Sequence, residues 1–235
     1  MNSRTQLLCA WSGLAFTLLF AVGFWPLAQF VPPPAPNMTA AEVVAMYQAS
    51  HTRLCLGILV MMLSTGLYLP FITVISVQIK HIEASPGILS RLQLVSGGLS
   101  VIFFIFACVG WGAAAFRLER SPELVMLMND FGWMTLLMTV STFAVQNFAI
   151  GFAILGDKNA YPVYPRWMGY FTFWVGVSFI PGVMLIFFKT GPFAWNGLFS
   201  FWLPFTAFFV WFQLMFVYMR KNIIEQSATA RTLTT

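Results

Sequence analysis

Two carboxylates stand where acid–base chemistry could be done in an otherwise apolar chain. Glu119 lies in the charged connection Arg117-Leu118-Glu119-Arg120-Ser121-Pro122-Glu123, and Asp130 closes that stretch, at the mouth of a hairpin running from Leu92 to Leu155. A carboxyl partly desolvated there would hold its proton to higher pH and serve as a general acid or base. The competing reading makes both residues interfacial ion pairs and helix caps, with Arg117, Arg120, Arg53 and Glu42 as neighbours.

The second set of polar groups consists of amides and hydroxyls. Thr135, Thr139, Thr142 and Gln146 are spaced four, three and four apart, which places them on one helical face. Trp202, Thr206 and Gln213 share a face in the same way. Amides in hydrocarbon are costly unless partnered, so these residues should point inward, with Asn147 beside Gln146. They would either bind a polar group of a ligand or join helices by hydrogen bonds worth around 1 kcal/mol each. Tryptophan offers a parallel choice. Trp25, Trp111, Trp133, Trp195 and Trp202 all map to the same end of their segments, as an interfacial aromatic belt would. Alternatively, Trp111, Trp133 and Trp202 line an apolar pocket for a flat hydrophobic molecule such as a sterol, terpenoid, quinone or aromatic.

Other chemistries lack their residues. His51 and His81 are the only histidines, and they fall at opposite ends of one apolar segment, so they cannot share a metal or a haem. Cys9, Cys55 and Cys108 have no metal or disulfide spacing and read as small packing residues. No phosphate-binding glycine loop, nucleophile elbow or Cys-His arrangement is present. No metal, cofactor or nucleotide is implied. The absence of charge deep within any apolar segment argues against an ion-coupled pump.

The elements that must position these groups are membrane helices. Of 235 residues, 59% are hydrophobic and 8% charged, against roughly 25% charged in soluble domains. The expected fold is an all-α polytopic bundle in a single integral membrane domain. Its six spans fall at about 7–31, 54–79, 92–116, 131–155, 167–188 and 196–219. The first segment is too long for a cleavable signal core and carries Trp25-Pro26 where small residues would be needed, so it counts as a span. Pro70, Pro181 and Pro204 interrupt the second, fifth and sixth spans, as kinks do beside a cavity or in a plain bundle. The small residues Gly110 to Ala115 should let a neighbouring backbone approach.

The first connection opens with Val31-Pro32-Pro33-Pro34-Ala35-Pro36. It then offers a capping box, Thr39 to Glu42, ahead of Val43, Val44 and Tyr47, which predicts a short surface helix. Ser121-Pro122-Glu123 predicts a second one on the same side, and the two together would make a lid.

The formal net charge is +5, but the basic residues flank apolar runs rather than forming a patch, so they are topology signals and not a nucleic-acid surface. Arg4, Lys80, Arg91, Lys158, Arg166, Arg220, Lys221 and Arg231 share one side. Arg53, Arg117, Arg120 and Lys189 share the other. The bias puts both termini in the cytoplasm and the lid outside.

The stretch Phe187-Phe188-Lys189-Thr190-Gly191-Pro192-Phe193-Ala194-Trp195-Asn196-Gly197 is preceded by Tyr164-Pro165-Arg166-Trp167-Met168-Gly169-Tyr170 and followed by Phe201-Trp202-Leu203-Pro204. This last third resembles an uncharacterised family of small bacterial multi-pass inner-membrane proteins. The resemblance implies a bacterial inner-membrane location and supplies no activity, substrate or catalytic residue.

Three functions fit these observations. The first is a binding, transport-facilitating or accessory protein for a hydrophobic small molecule, which needs a closed apolar cavity of several hundred Å³ below the lid. The second is a membrane-embedded isomerase or cyclase using Asp130 or Glu119 as its acid. The third is a structural subunit of a larger complex, with another membrane protein as partner alongside membrane lipid.

Overall fold

The computed structural model describes residues 3–83, 87–159 and 162–232, and among them all regular structure is helical. The side chain of Arg231 lies outside the described residues. Among the described residues, six segments are long and apolar enough to cross a membrane: Ser3–Leu27, His51–Ile82, Ile88–Phe116, Pro122–Gly156, Arg166–Phe187 and Leu198–Thr229. The expected polytopic bundle is what the chain forms. With six crossings, both termini lie at one end of the bundle, here the termini end; the opposite end is the cap end.

Only the third span is a single unbroken helix passing through the whole bundle, α5 (Ile88–Phe116, 29 residues), about 43 Å long at 1.5 Å per residue. It packs against α3 (His51–Thr65), α4 (Tyr68–Ile82), α6 (Pro122–Met138) and α7 (Ser141–Gly156). Its Gly110 allows a close backbone approach, because a Cβ there would stand 2.8 Å from the backbone nitrogen of Gly132 on α6. The small-residue run from Gly110 does bring a neighbouring backbone close. The first span, α1 (Ser3–Val22), packs on α3, α4 and the sixth-span helix α9 (Leu203–Thr232), while α8 (Arg166–Ser178) lies between α7 and α9.

The other spans change geometry partway. The first ends in a π turn, Gly23–Leu27, containing Pro26. The second breaks at Gly66–Leu67, ahead of Pro70. The fourth breaks at Thr139–Val140 between α6 and α7. The fifth passes from α8 into a 3-10 helix, Ile180–Phe187, at Pro181. The sixth starts as a π turn, Leu198–Trp202, ahead of Pro204.

At the cap end, α2 (Ala40–Ala49) begins with the expected capping box. Thr39 Oγ1 accepts from the Glu42 backbone N–H at 3.3 Å, and the Thr39 N–H donates to Glu42 Oε2 at 2.7 Å. Those bonds hold the exposed Glu42 carboxyl below the usual glutamate pKa. The helix lies on α6 and buries Val43 and Tyr47. The second expected surface helix is not separate. Pro122 starts α6, which runs on through Asp130 without a stop, because Asn129 and Asp130 find partners and nothing interrupts the helix before Met138.

Candidate functional site

The polar stripe expected on the fourth span does not exist as one surface, because the break at Thr139–Val140 divides it. Thr139, Thr142 and Gln146 each bond to a different group. The Thr139 hydroxyl donates to the Thr135 carbonyl, Thr142 Oγ1 lies 3.0 Å from Ser100 Oγ on α5, and Gln146 Oε1 accepts from the Tyr68 hydroxyl at 2.8 Å. The sixth-span face divides as well. Gln213 turns inward and donates to Thr17 Oγ1 at 3.1 Å, but Thr206 is exposed and Trp202 is 36% exposed. The buried face of α9 is instead set by Phe208, Trp211, Phe212 and Met215, and Thr206 lies on its far side.

The tryptophans also divide. Trp25, at 61% exposed, and Trp202 face outward as belt residues do, whereas Trp111 and Trp133 are fully buried and Trp195 nearly so. Trp111 and Trp133 meet edge to face with centroids 5.2 Å apart, and Trp195 stacks on Trp133 at 6.3 Å. Phe30, from the first connection, packs on Trp111 and Trp133 at 4.7 and 5.3 Å. The Trp195 indole N–H donates to the Pro34 carbonyl at 2.7 Å, tying the fifth-to-sixth turn to the proline-rich connection. These rings form a packed plug, not the wall of a pocket.

Neither carboxylate lines the crevice below the plug, and Asp130 belongs to a hydrogen-bonded group of its own. Asp130 Oδ1 accepts from Asn129 Nδ2 at 3.3 Å, and Asn129 Oδ1 accepts from the Tyr47 hydroxyl at 3.1 Å. Burial first, and the nearby Asp130 carboxylate second, push the Tyr47 phenol well above its ordinary pKa, so it stays a donor. Glu119 is exposed in the turn between α5 and α6. His51 and His81 fall at opposite ends of the second span, where His51 Nε2 lies 2.9 Å from the Ala115 carbonyl oxygen.

The closed cavity of several hundred Å³ expected for a binding role is not what lies below the plug: the opening there is a crevice of about 70 Å³. From the first span Phe20 and Phe24 reach it, and from α5 Ser100, Phe103 and Phe104. The fourth span contributes Leu136, Leu137, Thr139, Val140 and Phe143. The fifth adds Phe179, and the sixth closes it with Phe201, Pro204 and phenylalanines 205, 208 and 209. Of the expected site residues only Thr139 touches it. The crevice is not sealed, since Leu136, Leu137, Thr139, Phe205 and Phe209 are only partly buried.

The lining coincides with the irregular backbone. Phe24 belongs to the first π turn, Thr139 and Val140 are the break in the fourth span, Phe179 joins α8 to the 3-10 helix, and Phe201 belongs to the second π turn. The fourth and fifth spans touch through backbone here, because a Cβ on Gly182 would run into the Leu137 carbonyl oxygen. Composition did not single out these phenylalanines, since 26 are present. The break did leave a trace: Thr139-Val140-Ser141-Thr142 is a run of β-branched and hydroxyl residues, poor at holding a helix.

Fold and site together define an integral, multi-pass membrane helix bundle with an aromatic crevice at mid-depth. No family model, curated protein or solved structure matches the chain.

Proposed function

We propose that the protein holds the hydrocarbon part of an apolar small molecule in this crevice, as a binding, transport-facilitating or accessory protein. One observation carries the reading. Four spans abandon α-helical geometry around one aromatic-lined void. Irregular backbone in a membrane is tolerated only where protein shelters it or it lines a cavity, and π insertions recur at functional sites.

The void's size favours one class of guest. A cavity of about 150 Å³ holds benzene; at about 70 Å³ this one takes only a few carbons of a slim isoprenoid or acyl chain whose remainder lies outside it, and not the fused rings of a sterol. Its hydroxyls have their protons engaged within the protein, Thr139 on the Thr135 carbonyl and Ser100 on the Ser96 carbonyl, so a quinone ring would find no hydroxyl donor there. The enzymatic alternative needs a carboxyl facing the guest, and neither Asp130 nor Glu119 lines the crevice.

Lipid extraction and mass spectrometry of the purified protein test the reading. A stoichiometric apolar molecule is expected from the wild type and is expected to be lost from a folded Val140→Phe variant. An empty wild type, or undiminished retention in the variant, removes the proposal. We also propose the bacterial inner membrane, with both termini cytoplasmic, as its setting, on the lysine and arginine bias. Fusion reporters at either terminus test that orientation.

A further inference from the structure

One helical turn from the crevice, where α4, α5 and α7 meet, a buried donor is left unused. Gln146 is fully buried; its Oε1 accepts from Tyr68, but its Nε2 has no partner. The amide lies over Gly97 of α5, where a Cβ would stand 2.8 Å from Nε2, so the site depends on a residue without a side chain. One turn from Gly97, Gln93 is also fully buried. Its Nε2 donates to the Ile72 carbonyl at 3.3 Å, and its Oε1 is without a partner.

The hydroxyls between Gln146 and the crevice have no proton left to offer a guest's oxygen. Ser100 uses its proton on the Ser96 carbonyl at 2.9 Å, so in its contact with Thr142 the threonine is the donor, and the Thr139 proton goes to Thr135. Gln146 Nε2 is therefore the free donor next along α7 from the crevice floor. Buried polar groups of this kind are normally satisfied by protein, water or ligand.

We propose that Gln146 Nε2 is the binding point for a neutral oxygen acceptor. That oxygen belongs either to a buried water molecule or to an alcohol or ketone whose hydrocarbon part lies in the crevice. The inference rests on the crevice reading only in the second case. Gln146 does not itself line the crevice, so such a ligand reaches it only when the hydrogen-bonded Ser100–Thr142 pair parts, about one turn, roughly 5.4 Å, further on.

Tritiated phytanol and tritiated phytane share one branched skeleton and differ by a single hydroxyl, so their binding to the protein in nanodiscs separates the cases. If the oxygen is the ligand's, phytanol binds roughly tenfold more tightly, the scale of one hydrogen bond to an otherwise orphaned donor. Gln146→Leu then brings the ratio to about one by weakening phytanol alone. If the oxygen is water, the two probes bind alike, and a high-resolution experimental map of the ligand-free protein shows an ordered water within hydrogen-bond distance of Nε2.

The inference is overturned if the probes bind alike, or keep their ratio in Gln146→Leu, while that map shows no water at Nε2. Binding of neither probe removes the crevice reading and leaves the map to decide the water case. Should the variant not fold, the wild-type ratio and the map decide.

Discussion

The two ends of the bundle are built on different principles. Toward the termini end the helices are regular, and buried polar side chains pair across them. Gln78 donates to Gln6 at 2.9 Å and accepts from Gln226 at 3.2 Å, linking the first, second and sixth spans, while the Trp211 indole donates to Thr172 at 3.1 Å. Toward the cap end the backbone passes through π turns, a 3-10 helix and an open break, and aromatic rings hold it together. Lipid tails are as apolar as side chains, so helix association in a membrane depends on close packing and hydrogen bonds. Directional bonds need helices in register. Aromatic packing accepts many angles and so accommodates irregular backbone, with α5 running straight through both halves as the common support.

That contrast is open to attack, beginning with its strongest element. Trp133→Ala should cost about 3–5 kcal/mol, because it removes the ring that Trp111, Trp195, Phe30 and Phe24 all pack against; thermal unfolding in detergent reads the loss, and a small shift would mean that the plug does not hold the cap end. Gly182→Ala should cost roughly 1–3 kcal/mol, since the new methyl meets backbone that cannot swing away. Gly98→Ala on α5, with nothing within 4 Å of the added methyl, should be neutral or slightly stabilising by the same measurement.

At the regular end, Tyr68→Phe should cost about 1 kcal/mol through its single bond to Gln146. Equal losses for Tyr68→Phe and Trp133→Ala would erase the proposed difference between the halves.

A small effect of pH is expected at the surface. The carboxyl pKa of Glu42 is depressed in the folded state, so its contribution to α2 is present above the unfolded pKa and fades as pH falls through the lower folded value. A carbon-13 titration of Glu42 should give a midpoint below the ordinary glutamate value. In Thr39→Ala the midpoint should rise only part of the way, because the residue 39 backbone N–H still donates to the carboxyl.

Particular residues show how much the chain alone disclosed. The capping box at Thr39 and Glu42 is a contact over four residues, and it formed as read. Pro181 and Pro204 marked real changes of helix type because a missing N–H acts locally. Trp111 and Trp133 were open to either a belt or an inward reading, since nothing in spacing says which way a ring at a helix end turns. Both pack against Phe30, which folds back from the first connection. Thr206 was placed inward by its spacing from Gln213, yet the phenylalanine-rich face of α9 displaced it outward.

The sequence by itself determined that this chain is a six-span helical membrane protein, because hydropathy and length are sums over neighbours and need no knowledge of distant contacts. Where the interior opens, and which of its many phenylalanines border the opening, was decided only in three dimensions. The crevice exists where a break without proline in one span meets a 3-10 segment of the next and π turns of two others. Each is a local deviation, and their meeting at one depth is a property of packing.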